Sequence, residues 1–329
     1  MSRSSFGMTV IWLALVVLTA ASLLCGRVWL SPVQVLHALS APRPDLAGLI
    51  VMQLRLPRTV LAIAMGAALG LSGATLQGLT RNPLAEPGLL GVTAGAAFGA
   101  VIAIYFGLAG SFALAGPLFG LLGALAATAL TFSLGRGGGA LALILAGAAV
   151  SGLAAAGVSL ALNLAPNPYA AYEIMTWLMG SLTDRGWDQV YLALPFILAG
   201  CAMLARTGRS LDALTLGETQ AHSLGVDLDR LRAVVLIGTA MAVGAATSVT
   251  GAIGFIGLVA PHLVRPLVGH QPSRVLFPSA LAGAALLLAA DIGARLIRFG
   301  PELKLGVLTS LIGTPFFFWL VVRLRRTAP

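Results

Sequence analysis

Lys304, in Glu302-Leu303-Lys304-Leu305, is the only lysine in the chain. A P-loop needs G-x-x-x-x-G-K-[ST], because its backbone amides cradle phosphate while the lysine reaches the outer phosphates. No such loop surrounds Lys304, which excludes ATP hydrolysis by that route. The four histidines (His37, His222, His262 and His270) lack the spacing of metal ligands, and His262, next to Pro261, reads as a capping or packing residue. Cys25 and Cys201 each lie in an apolar run, which argues against a disulfide framework or metal cluster. Asp291 is the one carboxylate placed within an apolar stretch. Arg295 stands one helical turn on, so an ion pair is favoured over a proton relay. No Ser–His–Asp set or carboxylate pair stands out. These residues predict no catalytic site, no metal site and no cofactor.

The composition says what kind of element must hold the few charges. Of 329 residues, 58% are hydrophobic, 40 are Gly and only 9% are charged, against roughly 25% charged in an ordinary soluble domain. Mean hydropathy is +0.95. A soluble fold of this length needs far more charge to cover its surface. The high apolar content excludes disorder, and glycine without a G-X-Y period excludes a collagen-like fibre. The net charge of +9 is read as basic loops of a membrane protein rather than as a nucleic-acid surface. The fold class predicted is an all-α polytopic membrane protein.

A spanning helix needs about 20 mostly apolar residues. Ten stretches qualify: 8–30, 57–79, 88–107, 112–134, 140–162, 188–206, 232–250, 254–269, 276–296 and 304–323, the third and eighth being short and Gly-rich. The run from Met8 is longer than a signal-peptide core and lacks a small-x-small site, so it is read as the first span. Residues 167–181 are half-polar and predict a short helix outside the membrane. With both termini cytoplasmic, 12 cations fall inside and 8 outside, a modest positive-inside bias. The outer set (Arg27, Arg43, Arg55, Arg58, Arg185, Arg295, Arg298 and Lys304) is larger than that rule explains.

Gly66-Ala67-Ala68 with Ser72-Gly73-Ala74 recurs 178 residues on as Gly244-Ala245-Ala246 with Thr250-Gly251-Ala252. The copies fall in the second and seventh spans, five apart, and so cross in opposite senses. This is the plan of an inverted-topology repeat. One transmembrane domain, 1–329, with halves near 1–187 and 188–329, is expected. Between the sixth and seventh spans, the polar segment 207–232 predicts two short helices broken at Gly217. It is either a surface for a partner that supplies energy or a solvated amphipathic loop.

Arg55-Leu56-Pro57-Arg58-Thr59, continuing to Gly73 and Gln77, resembles the second-helix motif of the FecCD family of permease subunits, which serve bacterial importers of iron–siderophore, haem and cobalamin. Asn82-Pro83-Leu84-Ala85-Glu86-Pro87-Gly88-Leu89-Leu90-Gly91-Val92 is similar to its following loop, and Leu216-Gly217-Glu218…Ala221…Leu224-Gly225 to its cytoplasmic coupling segment. Gly251 through His262, Ala290-Asp291…Ala294-Arg295 and Gly313-Thr314-Pro315-Phe316-Phe317 resemble its later helices.

The resemblance implies the permease of a type II ABC importer in the bacterial inner membrane. It would pair with a second copy of itself or a close paralogue. Two ATPase subunits, carrying ATP and Mg²⁺, would grip Leu216, Gly217, Glu218, Ala221, Leu224 and Gly225. A periplasmic binding protein would meet Arg55, Arg58 and Arg295 through its carboxylates. Asn82 and Leu84 match the inner gate, whereas Gly139, Ala140 and Leu141 depart from the hydroxyl residues of some relatives. Iron–siderophore ranks slightly ahead of haem or cobalamin as cargo. An ion-coupled secondary transporter on an inverted repeat, and a non-transporting scaffold, are the competing readings.

Overall fold

The computed structural model describes residues 3–26, 28–40, 45–297 and 302–327; Arg27, Arg43 and Arg298 of the outer cation set lie outside them. Helices α1 (Arg3–Leu24), α2 (Pro32–Ser40) and α3 (Leu46–Leu49) lead through a π-helical stretch (Ile50–Arg55) into α4 (Leu56–Thr80). A 3₁₀ turn (Pro87–Leu90) precedes α5 (Val92–Tyr105), followed by α6 (Leu108–Ser111), α7 (Ala115–Gly135), α8 (Gly139–Asn163) and α9 (Pro168–Leu178). Next come α10 (Trp187–Ala205), α11 (Gly208–Leu214), α12 (Glu218–Ser223) and α13 (Leu228–Thr239), the last continuing through a second π-helical stretch (Ala240–Gly244) into α14 (Ala245–Thr250). The chain ends with α15 (Ile256–Val268), α16 (Pro272–Leu296) and α17 (Leu305–Thr327).

Among the described residues, eight helices are long and apolar enough to cross a membrane, and α5 and α15 are shorter apolar helices. Together they occupy the ten predicted stretches. Two boundaries differ most from expectation. The first helix stops at Leu24 rather than 30, because Arg55 takes up its terminal carbonyls. The second begins at Leu46 rather than 57. Pro57 reads as a helix break, since it lacks an N–H and its ring crowds the preceding turn; the π-helical stretch just before it opens the ladder and carries the helix across. The half-polar segment 167–181 forms α9, capped by the Asn167 side chain accepting from Ala170 N–H.

The repeated motif lies on helices of opposite sense. The last turns of α4 reach α11, where a side chain on Gly78 would meet Leu211. The chain leaving α11 and α12 enters α13 from that same end, so α13–α14 runs back against α4. Packing follows the repeat: α4 lies along α16, and α13–α14 lies along α7. The helices carrying the motif form the buried centre with α16, while α1, α8, α10 and α17 are largely outward-facing. Close approach at the centre is set by Gly66 and Gly283. A Cβ on Gly66 would lie 2.4 Å from Gly283 O, and one on Gly283 2.2 Å from Gly66 O. In an apolar solvent such backbone contact, rather than hydrophobic exclusion, joins helices.

Candidate functional site

At one end of the bundle, Arg55, Arg58 and Arg295 line a single cleft of ≈ 1070 Å³. Their roles within it differ. Arg55 is buried and donates to Leu23 O at 2.6 Å, to Leu24 O at 2.9 Å and to Val28 O. It thereby satisfies the orphan carbonyls that end α1. Arg58 donates through Nε and Nη2 to Asp291 Oδ1, at 2.9 and 2.8 Å, and through Nη2 to Glu302 Oε1 at 2.5 Å. Arg295 pairs with Asp291 Oδ2 and donates to Ser22 O at 2.9 Å. Asp291 is wholly buried. Two arginines face two carboxylates, which is how buried charge is made tolerable.

The predicted Asp291–Arg295 pair is therefore present, with Arg58 as a second partner from a helix 233 positions away. Burial pushes Glu302 upward, but Arg58 above all, then Thr183 and Arg295, hold its carboxyl below the ordinary value. Arg185 also lines the cleft, and its Nε has no hydrogen-bond partner among the described residues.

The opposite end carries the predicted pair of short helices. Gly217 separates α11 from α12 with φ +109°, a conformation that a side chain would strain. Of the six residues singled out there, Ala221 is fully buried, while Leu216 (62%) and Leu224 (64%) present exposed apolar side chains. Glu218 accepts from Arg232 Nη2 on both oxygens at 3.1 Å, tying α12 to α13. Gly225 closes α12 with φ +87°. Asp212 accepts from Ser273 N–H at 2.8 Å and Gln271 Nε2 at 2.7 Å, tying α11 to the start of α16. Asn82 Oδ1 accepts from Leu84 N–H at 2.9 Å, fixing the turn after α4. A Cβ on Gly139, at the head of α8, would lie 3.9 Å from Glu218 Oε1, so that helix starts beside α12.

Between the ends, a cavity of ≈ 730 Å³ is bordered by α4, the Pro87–Leu90 turn, the 252–255 loop and α17. His262 sits near it as a packing residue, edge-on to Phe316 and Trp319 at 5.7 and 6.2 Å. No group of three or more possible metal ligands occurs among the described residues.

Sequence reading missed Asp212, Glu302 and Phe255. Asp212 and Glu302 look like ordinary loop carboxylates until partners 61 and 244 residues away meet them. Phe255, with φ +68°, could have been suspected from the glycine on either side of its dipeptide, Gly254 and Gly257.

Eight long apolar helices and two shorter ones among the described residues are the build of a multi-pass membrane protein. The chain belongs to the FecCD transport family, which it matches over residues 14–323. It is 42% identical over 281 residues to the hemin transport system permease protein HmuU of Yersinia pestis, covering 84% of each chain. It is 38% identical over 328 residues to the vitamin B12 import system permease protein BtuC of Klebsiella pneumoniae subsp. pneumoniae, covering 98% of this chain and 94% of the relative. A solved structure described as an inward-facing conformation of a metal-chelate type ABC transporter superposes with TM-score 0.83 at 35% identity, over 96% of this chain and 98% of that one. The protein is thus a permease subunit of an ABC importer.

Proposed function

We propose that this permease carries a metal chelate inward across the bacterial cytoplasmic membrane, driven by a separate ATPase, with haem or cobalamin placed ahead of an iron–siderophore. That order reverses the one read from sequence, and the names of the relatives support it. The chain itself is not an enzyme in this reading, and both termini are cytoplasmic. The single domain, 1–329, works as two inverted halves, near 1–187 and 188–329. A second copy packs against the outward apolar faces of α8 (Leu141, Leu145, Leu153) and α17 (Leu311, Ile312, Phe318), which are exposed in the single chain.

The observation that carries the ATP-driven reading is the double attachment of the segment 207–232. Asp212 fastens α11 to α16, and Glu218 fastens α12 to α13. Leu216 and Leu224 remain free to enter a groove on each of two ATPase subunits. Movement there passes into two central helices rather than into a loose loop. Near the same end, Asn82 and Leu84 with the head of α8 form the inner gate. At the other end, the periplasmic binding protein brings a carboxylate that competes with Glu302 for Arg58, while Arg55 and Arg295 shape the cleft rim.

The test is accumulation of chelate in vesicles holding the permease, its ATPase and its binding protein. Uptake should stop when the ATPase is made catalytically dead. Uptake that continues on an ion gradient alone would replace this reading with a secondary transporter.

A further inference from the structure

Of the four arginines lining the outer cleft, Arg58 and Arg295 meet carboxylates and Arg55 is taken up by backbone carbonyls. Arg185 has neither. Among the described residues its guanidinium makes no ion pair, and its Nε, shut off from solvent, donates to nothing. All 11 Asp and Glu of the chain lie within the described residues, so no acidic side chain of the same copy is its partner. Burial holds the Arg185 guanidinium below its ordinary value, and the adjacent Asp184 offsets only part of that. The loop that carries it is fixed at both ends. Ser181 N–H donates to Thr250 O at 2.7 Å, and Trp187 Nε1 donates to Met52 O at 2.8 Å. Between these anchors Asp184 takes φ +58°, a left-handed conformation that Asp tolerates better than most side chains. An unpaired, partly buried cation costs stability in the resting chain, and an incoming anion would remove that cost.

We infer that Arg185 is a docking residue, receiving an acidic side chain of the periplasmic binding protein beside the carboxylate that meets Arg58. The inference rests on the docking reading above. The planar fork of a guanidinium matches a carboxylate through two parallel hydrogen bonds. Arg58 and Arg185 line one cleft of ≈ 1070 Å³, so a single protein surface carrying two acidic side chains engages both. Such a partner ties α4 to the loop before α10. Through Ser181 it also bears on Thr250, the last residue of α14.

The test uses permease and ATPase together in phosphatidylcholine nanodiscs, with the binding protein in solution. If wild type does not bind that protein at all, the docking reading itself falls. If it binds, Arg185→Met should slow association about tenfold at low salt and flatten its salt dependence. Lys304→Met removes the same charge away from the cleft lining and should slow association far less. Without the binding protein, Arg185→Met should melt at or above wild type, because no buried partner is stranded. A lower melting temperature would make Arg185 a structural residue, paired across the two copies, and overturn the inference. Association at the wild-type rate, or equal slowing by Lys304→Met, overturns it as well. If the rate is unchanged and phosphatidylglycerol raises the melting temperature of wild type but not of Arg185→Met, the cleft takes a lipid headgroup instead.

Discussion

Asp212 accepts the backbone N–H of Ser273 at 2.8 Å, so α11 is fastened to the first turn of α16. That helix has 25 residues, about 37 Å at 1.5 Å per residue. Near its far end Asp291 is buried between Arg58 and Arg295. One continuous element therefore joins the segment proposed to meet the ATPase to the cleft proposed to meet the binding protein.

Replacing Asp212 with Ala removes a side-chain cap from α16 and should cost about 1 kcal/mol. Burial raises the Asp212 carboxyl, but hydrogen bonds from Ser273 and Gln271, with the nearby Arg274, outweigh it and leave the pKa below its ordinary value. A depressed folded value means the contribution is complete above the unfolded value of about 3.9 and is lost as pH falls through the folded one. Thermal unfolding in detergent should separate the variant from wild type at pH 7, and the gap should close in strong acid.

Arg58→Ala leaves Asp291 wholly buried with only Arg295 beside it. Breaking a buried pair by removing one partner costs about 3–5 kcal/mol. A large fall in melting temperature is expected, so a docking defect in this variant would not by itself report on docking. A melting temperature equal to wild type would show that Arg295 alone neutralises Asp291.

Glu302→Gln is the cleaner probe of docking, because it frees a guanidinium without stranding a buried charge; Glu302 is 20% exposed. Binding-protein association should become faster at low salt, with the gain fading as ionic strength rises. Surface-immobilised permease with varied salt would show it, and an unchanged rate would place the docking contact elsewhere.

Gly217→Val forces a β-branched side chain into φ +109°, a local strain of about 1–2 kcal/mol. The bundle should stay folded while cargo-stimulated ATP hydrolysis separates from uptake. Coupled transport at the wild-type ratio would remove Gly217 from the ATPase interface.

Gly66→Leu drives a side chain into the Gly283 backbone, 2.4 Å from where its Cβ must go. Overpacking of this kind costs about 1–3 kcal/mol and shifts backbone, so α4 and α16 should part. Reduced expression and a lower melting temperature are the expected readouts, with Gly78→Ala as a tolerated control, since its Cβ would meet the Leu211 side chain no closer than 3.4 Å, an ordinary van der Waals distance.

The ten apolar segments, the inverted sense of the Gly66 and Gly244 motifs and the break at Gly217 were all legible in the chain. Each depends on short-range properties: apolar length against bilayer thickness, small residues at helical spacing, and a residue type suited to left-handed backbone. The family motifs are likewise local strings. Arg55, by contrast, resembled an outward-facing charge and proves to be the terminal cap of α1. Nothing near Arg55 in sequence announces carbonyls 31 and 32 residues upstream.

The amino-acid order by itself determined membrane class, span number, repeat sense and the lack of a P-loop, because water and lipid sort residues by polarity along any stretch long enough to cross. The tertiary structure alone decided which charges neutralise one another. Asp291 could have met only Arg295; packing of α4 along α16 added Arg58, and the loop before α17 added Glu302. A charge buried in a bundle takes whatever opposite charge the helix packing brings within reach. That reach is set by backbone contacts such as Gly66 on Gly283, made between residues more than two hundred positions apart.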